Sequence, residues 1–224
     1  MKQIAKSLVV VGAMLAAGSA AAEMDMDFKP FIGVDYLHAW TPAKNSIDGM
    51  QLKNAFPKAY PGFTGYVGAK FNDCFGVELG YDRSVFEKKK KTSGITNGRY
   101  TAKAHREGMH ADLVGYVPMD CWELFGSLGV GSLKMKIHEQ VLSPKDGVTQ
   151  AQINAQSPLP FYTKRKTVLR LGVGASYMIT EMFGVRAKLG WEGTNNLHLK
   201  DKNGSDIKGF KNSNTVAVGA FVRF

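Results

Sequence analysis

The chain has 224 residues, a formal charge of +10, 44% hydrophobic residues and 25 glycines. Its length suits one domain, and its apolar residues fall in short runs between turn-forming residues, which favours many short β-strands over helices. The positive charge does not indicate nucleic-acid binding, because no interleaved aromatic and basic residues suggest base stacking.

The first 22 residues have the pattern of a cleaved secretory signal. Two lysines precede an apolar run at residues 8–17, and small residues follow it before Glu23, which is the order found in signal peptides. The run is shorter than the roughly 20 residues that a spanning helix needs. We therefore predict a signal peptide at residues 1–22 and a mature domain at residues 23–224, with a charge of +8 (10 − 2).

Alternation of apolar with polar or small residues predicts eight strands after the signal. In the last of them, every second residue from Val216 to Phe224 is apolar, while Gly219 and Arg223 lie on the other face. The predicted strands cover residues 28–40, 63–71, 75–82, 108–117, 122–135, 167–179, 183–192 and 215–224.

The connections between these strands alternate between short and long. Three are tight, near residues 72–74, 119–121 and 180–182, and four are long, near residues 41–62, 87–105, 138–166 and 193–213. Outer-membrane barrels have short periplasmic turns and long extracellular loops, and a closed barrel leaves no strand edge in lipid. We therefore predict an all-β fold, an eight-stranded antiparallel transmembrane up-and-down β-barrel in the outer membrane of a Gram-negative bacterium.

The face opposite the apolar residues carries ten charged side chains whose charges sum to zero. The interior of an eight-stranded barrel has room for side chains and little else, so opposite charges should pair there. A soluble lipocalin-like barrel would need the reverse, with an apolar interior and a polar exterior. The predicted interior ion-pair network consists of Asp35, Glu78, Asp82, Asp112 and Glu192 with Lys70, Arg170, Arg186, Lys188 and Arg223.

The segments Phe75–Tyr81 and Thr167–Gly174 and the terminal Phe221–Phe224, together with the signal, resemble the OmpA-like group of small outer-membrane barrels. This group includes the opacity-type surface proteins and the OmpX-like barrels, and the resemblance covers residues 28–224. It implies that the barrel assembly machinery reads the terminal aromatic residue, Phe224. No peptidoglycan-binding domain follows the barrel, so a wall-anchoring role is not expected.

Two cysteines, Cys74 and Cys121, lie in predicted periplasmic turns. An even number of cysteines in an oxidising compartment favours a disulfide. Strands about 4.8 Å apart would separate the two by about 10 Å, beyond the roughly 7 Å Cα limit unless the turns lean together. We expect a disulfide between them, with free or intermolecularly paired thiols as the alternative.

The connection at residues 87–104 is strongly basic, with a net charge of +5 (6 − 1). One interpretation is a solvated loop whose lysines contact lipopolysaccharide phosphates, and this is the one we favour. The other is adhesion to a sulfated polysaccharide or another anionic host polysaccharide or protein. The expected role is structural or surface-interacting, in envelope integrity or adhesion. The basic residues are Lys88, Lys89, Lys90, Lys91, Arg99 and Lys103.

Two other functions compete with this role. An enzyme acting on lipid would need a nucleophile or histidine base with an orienting partner near one rim. His110 and Asp112 share a face, which equally describes an interior polar pair, and no His-x-x-x-His metal spacing occurs. We therefore predict no enzyme and no catalytic, cofactor or metal site. A narrow pore would require the interior ion pairs to rearrange.

Overall fold

The computed structural model describes residues 28–42, 57–85, 87–92, 99–143, 162–163, 165–194, 198–200, 206–208 and 210–224. The predicted signal peptide lies outside these ranges. No helix among the described residues has the length and apolar character needed to cross a membrane. The strands are β1 (Lys29–Trp40), β2 (Ala59–Lys70), β3 (Phe75–Ser84), β4 (Glu87–Thr92), β5 (Arg99–Met119), β6 (Trp122–Ser143), β7 (Tyr162–Thr163), β8 (Lys166–Met178), β9 (Phe183–Glu192), β10 (His198–Lys200), β11 (Asp206–Lys208) and β12 (Ser213–Arg223).

Eight of these strands close into an antiparallel barrel. Going round the barrel, the order is β1, β2, β3, β5, β6, β8, β9 and β12, and β12 pairs with β1 to close the ring. The closing register runs from Phe31 opposite Arg223 to Trp40 opposite Asn214. The short strands β4, β7, β10 and β11 extend the sheet beyond the end that carries the long connections. The predicted fold class is confirmed.

The alternation read from the last strand describes its two faces correctly. Val218 is 55% exposed on the outer surface, whereas its neighbour Ala217 is buried in the interior. Each barrel strand has this pattern, because side chains in a strand point alternately to the two faces of the sheet. Large apolar side chains therefore cover the outside, among them Leu113, Val173 and Leu189.

Both chain ends of the barrel lie at the rim that has the short turns. The Asn72 side chain closes one turn by accepting hydrogen bonds from the backbone N–H groups of Cys74 and Phe75, both at 2.8 Å. Asp120 closes the β5–β6 turn with a φ of 48°, a left-handed conformation that Asp tolerates better than most residues. In the third short turn, Thr180 Oγ1 accepts a hydrogen bond from the N–H of Phe183 at 2.9 Å.

The structure corrects the predicted loop at residues 87–104. Most of this segment is strand: β4 pairs with β5 from Glu87 opposite Ala104 to Thr92 opposite Arg99. Both β5 and its partner β6 run well past the predicted ends at residues 108 and 135. Lysine is a poor strand former and no apolar alternation marks these residues, so the sequence pattern did not reveal the extension.

The apolar outer band ends on β5 at a charged pair. Glu107 lies opposite Lys134 on β6, one outward position beyond the exposed Met109. The described part of β5 before the inward-facing Arg106, from Arg99 to His105, therefore extends beyond the apolar band. At about 3.3 Å per residue this projection is roughly 23 Å long.

Candidate functional site

The interior charges fall into two groups, of which the larger lies at mid-height. We call this group the middle layer. All nine members are supplied by inward positions of five strands, and their ion pairs join members to one another. The middle layer consists of Asp35, Glu78, Asp82, Asp112, Glu192, Arg106, Arg170, Arg186 and Lys188.

Arg186 has the most extensive contacts in the middle layer. Its Nη2 lies 2.7 Å from Oδ2 of Asp35, its Nε donates to the same carboxylate at 3.1 Å, and its Nη1 pairs with Glu78. Its guanidinium also stacks on Tyr66, 3.4 Å from the ring centroid. One cation thus neutralises carboxylates from two strands and packs on an aromatic ring from a third.

The other two predicted bases of this layer, Lys188 and Arg170, also pair with acids on other strands. Lys188 Nζ lies 3.0 Å from Oδ2 of Asp112. Arg170 Nη1 lies 2.7 Å from Oδ2 of Asp82 and 2.9 Å from Oε1 of Glu192. Each base therefore contacts an acid on a different strand, which ties opposite sides of the barrel together.

Arg106 is a middle-layer base that the sequence reasoning missed. It pairs with Glu192, its Nη1 donates to Ser213 Oγ at 3.3 Å, and its backbone N–H donates to Ser84 Oγ at 2.6 Å. Its side chain is 1% exposed. Arg106 fell between the predicted loop, which ends at residue 105, and the predicted strand, which begins at residue 108, although its position matches the inward residues His110 and Asp112 in the period of two.

Two residues of the predicted network, Lys70 and Arg223, lie apart from the middle layer, near the rim with the short turns. Both contact Glu123, with Lys70 Nζ at 2.7 Å from Oε1 and Arg223 Nη2 at 2.9 Å from Oε2. Ser176 donates to the same carboxylate at 3.3 Å. Glu123 was also missed, because it adjoins the predicted turn. Its inward position could have been read from its spacing to Ser127.

The interior between these groups is nearly filled. One cavity of about 20 Å³ lies within the middle layer, and another of about 20 Å³ lies beside Tyr66 and Phe221. Each is large enough for about one water molecule. Phe31, Tyr66 and Phe221 pack edge to face in the lower interior. Side chains, rather than an open lumen, occupy this part of the barrel.

Three ligand-type side chains of the middle layer approach one another, namely Glu78, His110 and Asp112. Both carboxylates already have cationic partners: Lys188 lies 3.0 Å from Asp112, and Arg186 pairs with Glu78. A metal ion there would stand beside an ammonium group. We therefore assign no metal to these residues.

The histidines with described side chains do not form a catalytic pair at a rim. His110 lies in the interior between Glu78 and Asp82. His38 faces outward against Trp40, with ring centroids 4.4 Å apart. His105 Nε2 lies 3.8 Å from a Glu107 carboxylate oxygen at the outer end of the apolar band. The side chains of the two remaining histidines lie outside the described part of the chain.

The disulfide expected between Cys74 and Cys121 is not formed, and both thiols are free and exposed. Cys74 is level with Tyr116, whose N–H donates to the Cys74 carbonyl at 2.7 Å. The β5–β6 hairpin continues for three residues past Tyr116, to Met119, before the turn that holds Cys121. This offset of about 10 Å along the strands exceeds the roughly 7 Å Cα limit for a bridge.

The basic residues predicted as one loop lie on two paired strands outside the apolar band. Lys88, Lys89, Lys90 and Lys91 are in β4, and Arg99 and Lys103 are in β5. The register puts Lys88 opposite Lys103. Like charges at directly opposed positions repel each other. The pairing therefore concentrates positive charge along the projecting sheet.

Comparison with known families identifies the barrel. The model of the outer membrane protein β-barrel domain matches residues 7–224. The chain belongs to the outer membrane β-barrel family. The resemblance read from the sequence is thereby confirmed. A search of curated proteins finds no match.

Solved structures of outer-membrane barrels have the same fold as this family member. OprG of Pseudomonas aeruginosa matches with a TM-score of 0.55 and 13% identity, over 89% of this chain and 97% of OprG. Neisserial surface protein A matches with a TM-score of 0.54 and 12% identity, over 87% of this chain and 97% of that protein. A third match is Ail, the attachment invasion locus protein of Yersinia pestis, in a structure with the heparin analogue sucrose octasulfate. Its TM-score is 0.50 at 18% identity, and the match covers 89% of this chain and 100% of Ail.

The family places this barrel in the Gram-negative outer membrane, as predicted. Its apolar outer band then contacts the lipid bilayer, and the rim with short turns faces the periplasm. Phe224 lies at that rim, where it is exposed and its N–H donates to the carbonyl of Pro30 at 2.9 Å. The projecting basic strands are therefore at the extracellular end.

Proposed function

We propose that this outer-membrane barrel is a surface-interaction protein that binds sulfated or phosphorylated polymers through its projecting basic strands. The observation that supports this most directly is the continuation of β4, β5 and β6 beyond the lipid-facing band. Residues 87–92, 99–104 and 135–143 of these strands carry seven bases and two acids, a net charge of +5 (7 − 2). A polyanion lying along these strands would be attracted by this concentration of positive charge.

A protective role for the same lysines is the competing explanation. Among the described strands, β4 pairs with β5 and forms one edge of the extended sheet. Lysines on an edge strand discourage pairing with other chains. Such lysines need no ligand, so a binding measurement separates the two roles.

Replacing Lys88–Lys91 with serine should weaken binding of sucrose octasulfate to the refolded protein by roughly 30-fold. Four partly solvated ion contacts at about 0.5 kcal/mol each give about 2 kcal/mol, and 1.4 kcal/mol corresponds to a factor of ten. Isothermal titration calorimetry in detergent at two salt concentrations measures this affinity. The probe is the heparin analogue present in the Ail structure.

The matched control removes the same charge from four other lysines, namely Lys58, Lys134, Lys166 and Lys211. This variant should retain most of the affinity. Equal losses in both variants would mean that net charge alone attracts the ligand, and unchanged binding in the first variant would refute the proposal. The heat-dependent shift in electrophoretic mobility of folded barrels verifies that each variant is folded.

The filled interior supports a second part of the proposal, that the barrel does not act as a pore. Purified protein in a planar bilayer should give no steady conductance steps, because the interior cavities of about 20 Å³ hold about one water each. A general porin measured in the same membranes serves as the positive control. Reproducible steps from the wild-type protein would favour the pore instead.

Three further expectations belong to the same proposal. Lipopolysaccharide phosphates are the nearest anions available to the basic strands at the extracellular end. The barrel assembly machinery is expected to read Phe224, which is exposed at the periplasmic rim. We also propose that the protein is not an enzyme, in keeping with a structural role in the envelope and with His110 lying inside the barrel.

A further inference from the structure

The fixed charges of the middle layer do not balance. Its acids number five and its bases four, and within the part of the chain that the structure describes, the ion pairs of these nine residues join them to one another and, besides, only to His110. Lys70 and Arg223 cannot supply the missing charge, because both pair with Glu123 near the periplasmic rim. The middle layer therefore carries a net charge of −1 (4 − 5) in a barrel surrounded by lipid. An uncompensated charge in such a place is costly.

His110 lies beside the acids of this layer and is not among the nine residues counted above. Its Nε2 lies 3.8 Å from Oε1 of Glu78, and its Nδ1 lies 3.6 Å from Oδ2 of Asp82. Its side chain is 1% exposed, and among the described residues neither ring nitrogen has a hydrogen-bond partner, nor has Oδ1 of Asp112. A neutral imidazole has one N–H donor, whereas an imidazolium has two. Only the charged form can donate towards both carboxylates.

We propose that His110 is a proton-binding site of the middle layer and is held as an imidazolium, which supplies the fifth positive charge. Its opposing neighbours are glycines on both sides, Gly80 on β3 and Gly131 on β6. The charged groups around the ring come from four strands: Glu78 and Asp82 from β3, Arg106 and Asp112 from β5, Arg170 from β8, and Lys188 and Glu192 from β9. When Asp35 and Arg186 are added to these groups and His110 is charged, the layer has five negative and five positive charges.

The proton belongs on the imidazole rather than on one of the carboxyl groups. Unperturbed histidine is more basic than Asp or Glu by about two pH units, so the first proton taken up by the layer goes to the ring. A metal ion is the other source of positive charge, but Lys188 Nζ already lies 3.0 Å from Asp112 and Arg186 pairs with Glu78. The proton thus acts as a structural ligand, and the charge of the barrel core depends on its retention.

Nitrogen-15 NMR of histidine-labelled, refolded protein at pH 7.5 with EDTA tests this assignment. An ordinary histidine is about 90% neutral at that pH. We expect the resonances of His110, assigned by their loss in His110→Gln, to show protons on both ring nitrogens at this pH. A neutral His110 would overturn the proposal, and so would a signal that changes when zinc replaces EDTA.

Removing one acid gives a sharper result, because four acids then face four bases. In Asp82→Asn, His110 should become mostly neutral at pH 7.5. Asp35→Asn should act in the same direction although Asp35 pairs with Arg186, because the charge count of the layer changes equally. An unchanged imidazolium in both variants would overturn the proposal. The thermal midpoint should fall in His110→Gln and recover in the double variant with Asp82→Asn, and a further fall in that double variant would contradict it.

Discussion

Replacing Arg186 with methionine should lower the free energy of unfolding by about 3–5 kcal/mol, the largest effect that we expect from removing one charge. The change leaves the buried carboxylates of Asp35 and Glu78 without their main partner. It also removes the guanidinium stacked on Tyr66. Methionine fills part of the volume, so the loss is mainly electrostatic. Urea unfolding of the refolded barrel in lipid vesicles measures it.

Arg83 provides the matched control for this change. It lies on β3 with its side chain exposed at the outer surface, and Arg83→Met should alter the unfolding free energy by no more than about 0.5 kcal/mol. Adding Asp35→Asn to the Arg186 variant should recover part of the lost stability, because one of the two carboxylates left without a cationic partner is then replaced by a neutral amide. If Arg186→Met is as stable as Arg83→Met, the interior ion pairs do not hold the barrel together.

The sequence predicted the barrel part of the fold because lipid imposes a simple rule on it. A strand in a closed barrel has one face in hydrocarbon, so the run from Val216 to Phe224 alternates clearly. That constraint ends at the edge of the lipid. Beyond Glu107, water covers the strands, alternation is no longer required, and the lysines of β4 look like a loop. The extension is set by pairing with β5, which a local pattern does not reveal.

The same boundary explains which interior residues could be predicted. Arg170 and Arg186 are flanked by apolar outward neighbours, so their inward direction follows from the alternation. Arg106 lies next to charged Glu107 and Glu123 lies next to a turn, where the outward face gives no such signal. The ten charges chosen from the sequence sum to zero, and adding these two keeps the sum at zero. The sequence does not show that these charges separate into a middle layer with one excess acid and a rim group with one excess base. That separation depends on which side chains pair in three dimensions.

Tyr66 contacts both an interior ion pair, through Arg186, and the aromatic cluster, through Phe31. A substitution at the glycine opposite Tyr66 should therefore also destabilise the barrel. Gly33 faces the interior directly opposite Tyr66 on β2 and opposite Phe221 on β12. The Tyr66 ring lies over the place where a side chain at residue 33 would begin, and a Cβ there would also stand 2.7 Å from the Ala220 carbonyl oxygen. The absence of a side chain at Gly33 is therefore what allows Tyr66 to support Arg186.

Gly33→Val should prevent a large fraction of the protein from reaching the folded barrel, whereas Gly65→Val should fold like the wild type. Valine at residue 33 must displace the Tyr66 ring, at a cost of about 1–3 kcal/mol for overpacking plus any loss of the Arg186 stacking. At residue 65, on the neighbouring strand, a Cβ meets no atom within 4 Å and faces lipid. Both substitutions change intrinsic strand propensity and unfolded-chain entropy alike, so the difference between them isolates the interior clash.

Two measurements report this difference: the folded fraction, read from heat-dependent electrophoretic mobility, and the urea concentration at the midpoint of unfolding. Equal behaviour of the two variants would mean that the interior repacks freely around Tyr66.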